Sequence, residues 1–362
     1  MLFEPLTTRS VQLANRTVMA PMTRSRADDT NTPGALMAEY YGQRASAGLI
    51  IAEGTSPSPN GLGYARIPGL FNDAQVRGWK SVTDAVHAKG GKIFVQLMHT
   101  GRVSHVANLP SGAEVLGPMA DACPGEMYID AQGMQPRSTP RAMSEADIAH
   151  TVDEYAKSAR LAIEAGFDGV ELHAANGYLI EQFLNANVNQ RTDGYGGSID
   201  GRNRFALEVA RATAAAIGAH RVGIRLSPYG VFNSTGAFPD VEAQYLALTQ
   251  ELSKLGLLYL HVLDHSAMDT YMGAPPVPAE FKLQLRAAFQ GLFILAGGFD
   301  RTSAEDALKA GHADLIAFAR SFLANPDLVE RMRSNEALND VDMSTLYTPG
   351  PKGYTDYPTR AA

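Results

Sequence analysis

The 362-residue chain contains one cysteine and one tryptophan, and it has no run of eighteen uncharged apolar residues. Cys123 cannot close an internal disulfide, so a reducing cytoplasm is the expected compartment. Its sequence neighbours Ala122 and Pro124 supply no His or Lys to activate the thiol, which makes it a poor nucleophile on local grounds. Without a long apolar run no segment is expected to span a bilayer. Met1-Leu2-Phe3-Glu4-Pro5 has no basic region leading into an apolar stretch, so no signal peptide is expected. Positive charge is scarce as well: 31 Lys and Arg face 38 Asp and Glu, a net charge of −7. Non-specific binding to nucleic acid or anionic lipid is therefore not expected. Two phosphate-binding signatures are also missing. There is no G-x-x-x-x-G-K-[ST], and no G-x-G-x-x-G opens a helix: Gly61-Leu62-Gly63 continues into Tyr64 and Arg66. A resident nucleotide on a Rossmann unit is thereby disfavoured.

What the chain does have is a rhythm. A helical segment ends at a glycine, and an apolar strand follows within a few residues. This happens at Gly48 before Leu49-Ile50-Ile51, at Gly91 before Ile93-Phe94-Val95, and at Gly166 before Val170-Glu171-Leu172. It recurs at Gly218 before Val222-Gly223-Ile224-Arg225, at Gly256 before Leu258-Tyr259-Leu260, at Gly291 before Leu292–Leu295 and at Gly311 before Leu315–Phe318. With a first strand at Val18-Met19-Ala20, eight strands alternate with helices. That alternation implies a parallel sheet, and eight units imply a closed (β/α)8 TIM barrel forming a single domain over residues 1–362. The clearest helix starts at Ser144, which forms an S-x-x-D capping signature with Asp147 and ends before Gly166. Val11–Leu13 and Arg16–Val18, flanking Ala14-Asn15, read as an N-terminal hairpin that could plug the barrel floor. Two insertions break the rhythm: residues 104–141 after the third strand, read as a subdomain or functional loop, and residues 185–202 after the fourth.

Chemistry in such barrels sits where strands end. His173-Ala174-Ala175-Asn176-Gly177-Tyr178 closes the fourth strand, so an imidazole, an amide and a phenol emerge together. They suit polarising a substrate oxygen and delivering a proton to carbon. Gly297-Gly298 and Ala319-Arg320 follow the seventh and eighth strands, where barrel enzymes often bind phosphate through backbone N–H groups. Arg225 ends the apolar fifth strand and must face an anion or acceptor, either an acid such as Glu171 or a ring that becomes anionic. Gln96 offers a donor and an acceptor, suited to a pyrimidine-like edge or to a core backbone group. Thr23 offers one hydroxyl, for a cofactor or for a turn. His261, Asp264 and His265, together with His173, could be imagined as zinc ligands of a barrel hydrolase, although no H-E-x-x-H or paired cysteine supports this. His99 and His105 read as loop hydrogen-bonders.

Several ordered motifs on this rim resemble the old yellow enzyme family of FMN-dependent ene-reductases, and especially its bacterial branch of N-ethylmaleimide and xenobiotic reductases. They are Ala20-Pro21-Met22-Thr23-Arg24-Ser25-Arg26, Glu53-Gly54-Thr55, Gln96–Arg102, His173–Tyr178, Asn189–Asp193, Tyr195–Ser198, Leu295–Gly298, Phe318–Arg320 and Gly353–Pro358. The resemblance implies non-covalent FMN held by Pro21, Thr23, Gly54, Gln96, Arg225, Gly297, Gly298, Ala319 and Arg320. Thr23 would bond the flavin carbonyl beside N5, Gln96 the pyrimidine edge, and Arg225 the N1 side. His173 and Asn176 would bind the substrate's carbonyl or nitro oxygen, Tyr178 would donate the proton, and Tyr64 and Met98 would line the pocket. Tyr354 also matches a position near that pocket. NAD(P)H would enter the same site and leave before the alkene arrives, giving ping-pong kinetics on enones, enals, maleimides and nitroalkenes. Nitrate esters or nitroaromatics are an alternative substrate class, and a flavin sensor with little turnover an alternative role. A monomer or homodimer is expected. Met98 stands where related bacterial enzymes often carry tryptophan. Ala319 replaces a common glycine and requires a negative φ.

Overall fold

The computed structural model describes residues 1–8, 10–267 and 273–360. Eight parallel strands close into a barrel in chain order: Thr17–Met19, Leu49–Thr55, Ile93–Leu97, Gly169–Ala174, Val222–Leu226, Tyr259–Leu263, Leu292–Ala296 and Leu315–Phe318. The eight-strand expectation holds. The sixth strand extends further than its apolar start suggests, so His261 lies within a strand and not in the loop after it.

Two hydrophobic layers hold the barrel. The outer one packs the helices on the sheet and includes Trp79, Tyr155 and Phe205, all fully buried. The inner one fills the bore with Val18, Leu49, Ile51, Phe94, Tyr259, Ile294 and Leu315. Leu13 belongs to this inner cluster, with Leu6 and Val11 packed against it, so the N-terminal hairpin does plug the floor. Its strands are Leu6–Thr7 and Gln12–Leu13, however, and not the pair expected from sequence. Thr17–Met19 cannot serve the hairpin because it is already bonded to both neighbours in the barrel.

The helix from Glu145 to Glu164 carries the full capping box: Asp147 N–H donates to Ser144 Oγ at 3.2 Å and Ser144 N–H to Asp147 Oδ2 at 2.7 Å. Gly166 ends it at φ +92°, a conformation in which a Cβ would clash. Gly48 is glycine for another reason. Its φ is not positive, but an added Cβ would lie 2.1 Å from the carbonyl oxygen of Asn15. Within the 104–141 insertion, Glu126–Ile129 pairs antiparallel with Gly133–Pro136. In the 185–202 region the irregular stretch stops at Ser198, which caps the helix Ile199–Ile217.

Two of the sequence motifs meet each other. Arg24 Nη2 donates to Gly353 O at 2.7 Å, and Arg26 reaches Leu346 O at 2.7 Å and Thr345 O at 2.8 Å. Tyr354 is fully buried and stacks on Tyr40 at 4.0 Å, which corrects its expected place beside the pocket. These residues strap the C-terminal tail to the barrel.

Candidate active site

The fourth barrel strand delivers His173, and the chain then turns sharply. Asn176 and Gly177 have φ of +60° and +71°, a left-handed pair that asparagine and glycine tolerate best. Tyr178 follows as the residue that opens the helix Leu179–Leu184. The turn is pinned from behind. Asn176 N–H donates to Ser227 Oγ at 3.0 Å, and Asn233 Nδ2 donates to Asn176 O at 2.8 Å. Gly177 N–H donates to Glu181 Oε2 at 2.6 Å, while Ser227 Oγ and Tyr245 OH donate to Glu181 Oε1 at 2.9 and 3.0 Å. Burial pushes the Glu181 carboxyl up to about 7, against the pull of those three donors. Sequence reasoning missed Glu181, Ser227 and Tyr245. An acid inside the apolar run Leu179–Leu184 was the available signal.

On the other side of the turn, the Tyr178 and His173 rings lie 5.0 Å apart, edge to face. The Tyr64 and Tyr178 hydroxyls are 3.0 Å apart. Burial raises the Tyr178 phenol well above its ordinary range, and the nearby Tyr64 phenol adds to this. Tyr178 is thus a protonated donor at neutral pH. Burial, helped by Arg225, holds His173 well below its ordinary range, so the ring is neutral. Its Nδ1 is buried without a partner among the described residues. Met98 is buried with Leu62 and Ile67 beneath Tyr64 and Tyr178. Gly54 leaves it room: a Cβ there would lie 2.5 Å from Met98 Sδ. Val103, Cys123 and Met127 pack against the same two tyrosines, so the insertion forms part of this wall. The Cys123 sulfur accepts from Arg137 Nη1 at 2.8 Å, a neighbour fourteen residues away that local sequence could not reveal.

The strand register stacks the polar interior in two layers. Gln96, Glu171, Gly223 and Tyr259 share one. His173, Arg225 and His261 share the next. Glu171 accepts from Gln96 Nε2 and meets His261 Nδ1, both at 2.8 Å. That answers one alternative left open by sequence: Glu171 is engaged by Gln96 and His261, and the Arg225 guanidinium has no hydrogen bond among the described residues. The Arg225 guanidinium is buried, and desolvation lowers its pKa while Glu171 raises it. An orphaned buried cation of this kind calls for an acceptor from outside the chain.

Above this layer the rim offers a cradle. Pro21 is buried two residues after the first strand, and the half-buried Thr23 hydroxyl has no hydrogen bond among the described residues. Gly297 has φ +130°, and a Cβ would sit 2.6 Å from Asp264 O. Gly298 has φ +67° and is exposed. Ala319 has φ −98°, the negative value its methyl group requires, and caps the short helix Arg320–Ala324. Arg320 is exposed and has no ion pair among the described residues. First-turn N–H groups, a glycine pair and a free arginine on adjacent strands suit a phosphate monoester. With Arg225 orphaned deeper in the mouth, the donor set fits a phosphorylated ring cofactor such as FMN. Of the four residues imagined as zinc ligands, three are separately engaged: His261 by Glu171, His265 by Asn176 at 2.8 Å, and Asp264 by Ser266 and Lys282. His99 and His105 each accept a nearby backbone N–H, from Gly101 and Ala107.

Fold and site together define a barrel oxidoreductase that works through a flavin. The model of the NADH:flavin oxidoreductase / NADH oxidase family matches residues 1–339, and the chain belongs to that family. Morphinone reductase has a solved structure with TM-score 0.94 and 46% identity, covering 99% of this chain and 96% of that one. The old yellow enzyme homologue from Zymomonas mobilis superposes with TM-score 0.93 at 39% identity, covering 99% of each chain. 12-Oxophytodienoate reductase 7 of Oryza sativa subsp. japonica is 42% identical over 99% of this chain and 94% of its own length. FMN is the cofactor and a nicotinamide coenzyme the hydride donor.

Proposed function

We propose that the chain is a single FMN-binding barrel domain, with residues 104–141 as an insertion, that reduces electron-poor C=C bonds at the His173–Tyr178 turn. The observation that carries this is the convergence of a neutral imidazole, an amide and a protonated phenol beside an orphaned buried arginine. When bound, FMN supplies hydride to the alkene β-carbon. The chain's own residues do the rest. His173 and Asn176 donate to the substrate oxygen, where negative charge grows, and such paired donors lower a barrier by about 3–4 kcal/mol each when well aimed. Tyr178 hands its proton to the α-carbon, and Tyr64, whose oxygen is 3.0 Å away, is placed to restore it. Pro21, Thr23, Gly54 and Gln96 bound the ring site, Arg225 stabilises negative charge there, and Gly297, Gly298, Ala319 and Arg320 hold the phosphate. Tyr64 and Met98 shape the alkene pocket. The coenzyme uses the same donors for its carboxamide and leaves before the alkene binds.

The oxygens of nitroalkenes, nitroaromatics and nitrate esters would meet the same two donors, which makes them a second substrate class. NADH or NADPH is the proposed coenzyme, the cytoplasm the proposed compartment, and a monomer or homodimer the proposed state. The test is anaerobic: NADPH or NADH should bleach the bound flavin, and cyclohexenone or a maleimide should restore its colour. Bleaching without reoxidation by any such alkene would leave a flavin sensor in place of a reductase.

A further inference from the structure

The backbone of Asn176 is held at both its N–H and its carbonyl, but its side-chain amide retains one freedom. A half-turn about its last bond exchanges Oδ1 and Nδ2 with almost no change of shape. Only one orientation presents N–H groups to a substrate oxygen; the other presents a lone pair to a lone pair. Something must break this degeneracy. The Oδ1 of Asn176 lies 2.8 Å from Nε2 of His265, which follows the sixth barrel strand. An amide oxygen only accepts, so Nε2 carries the hydrogen. Burial, with Arg225 nearby, holds His265 down to about 4, although Asp264 pulls the other way. The ring is therefore neutral and carries one N–H, and its buried Nδ1 has no partner among the described residues. The ring itself has little room to turn. Phe232 packs on it at 4.8 Å, and a Cβ on Gly230 would lie 2.7 Å from its Cε1.

We infer that His265 is a positioning residue for catalysis: its Nε2–H fixes the Asn176 amide so that Nδ2 faces the substrate oxygen. This rests on the reading of Asn176 as an oxygen-binding donor. It also accounts for a histidine in a buried place where it has no ligand of its own.

The test is a double-mutant cycle on the FMN-loaded enzyme, reading the rate of flavin reoxidation by cyclohexenone together with the dissociation constant of cyclohexanone, a saturated ketone. His265→Phe keeps a ring against Phe232 and removes the N–H; His265→Leu serves the same comparison if the larger ring does not fit beside Gly230. His265→Gln restores an N–H donor. Losing a hydrogen bond that sets the amide should slow reoxidation about 5- to 10-fold and weaken ketone binding by a similar factor. His265→Gln should recover most of this loss. In an Asn176→Ala background, removing the imidazole should add nothing, because no amide remains to orient. If Asn176→Ala slows turnover but His265→Phe and His265→Leu do not, or if the two losses multiply, His265 does not act through the amide. If Asn176→Ala itself is silent, the oxygen-binding reading fails, and the role of His265 falls with it.

Discussion

Replacing Tyr178 by phenylalanine removes a single oxygen, to which the proposed mechanism gives a different part in each half of the cycle. The ring keeps its edge-to-face contact with His173 at 5.0 Å, so the pocket wall should stay in place. Among the described residues the lost hydroxyl had one partner, Tyr64 at 3.0 Å, so the stability cost should be about 1 kcal/mol. The catalytic cost is larger. A positioned general acid contributes roughly 10²- to 10⁴-fold. The Tyr64 phenol remains one hydroxyl's width from the vacated position, and a water there could relay its proton. The expected slowing of flavin reoxidation by an enone is therefore near the low end, about 10²-fold, or about 2.7 kcal/mol of barrier. Adding Tyr64→Phe removes the substitute and should carry the loss towards about 10⁴-fold. Reduction of the flavin by NADPH transfers hydride from coenzyme to ring and asks nothing of the phenol, so its rate should be almost unchanged. Anaerobic stopped-flow absorbance of the flavin separates the two halves. Equal slowing of both would refute the assignment and make Tyr178 a packing residue; no slowing of either would move the proton donor elsewhere.

Arg225→Ala should leave the apoprotein as stable or more so, since a buried cation without a hydrogen bond is removed, yet weaken FMN binding about 10- to 100-fold, measured by fluorescence titration of apoprotein. Unchanged FMN affinity would exclude Arg225 from the ring site. Gly297→Ala places a side chain at φ +130° and 2.6 Å from Asp264 O, so it should cost about 1–3 kcal/mol and lower FMN content, read by absorbance ratio; a fully loaded, equally stable variant would contradict this. Glu181 is raised from 4.5 to about 7 in the folded state, so its stabilising contribution is complete below pH 4.5 and lost as pH rises through 7. Denaturant melts should show wild-type stability falling by about 3 kcal/mol across that window relative to Glu181→Gln, which has no carboxylate to ionise; parallel profiles for the two proteins would show that Glu181 titrates normally.

The barrel was legible in sequence because burial of parallel strands demands apolar runs, and each helix that returns to the sheet must stop before the next one. Ala319 illustrates how far such reasoning reaches: its methyl group implied a negative φ, and the backbone has −98° there. The hairpin register was misread because Arg16–Val18 is as strand-like as its neighbours, and only closure of the barrel decides that Thr17–Met19 pairs with strands at both of its edges. Tyr354 was misplaced for a similar reason. An aromatic residue in a motif has the same letter whether it lines a pocket or stacks on Tyr40.

The sequence by itself determined the class of architecture, the turn from His173 to Tyr178 and the strand ends that could hold a phosphate, because periodicity and turn chemistry are local. It left Glu171 free to pair with Arg225, Cys123 without a neighbour, and His265 as an imagined zinc ligand after the sixth strand. Those pairings depend on strand register and on loops meeting across the barrel mouth. Only the tertiary structure joins Glu171 to Gln96 and His261, brings Arg137 to Cys123, and places His265 against Asn176 across 89 residues of chain. Contacts between residues so far apart carry no periodic trace, since their geometry is set by how the whole barrel closes.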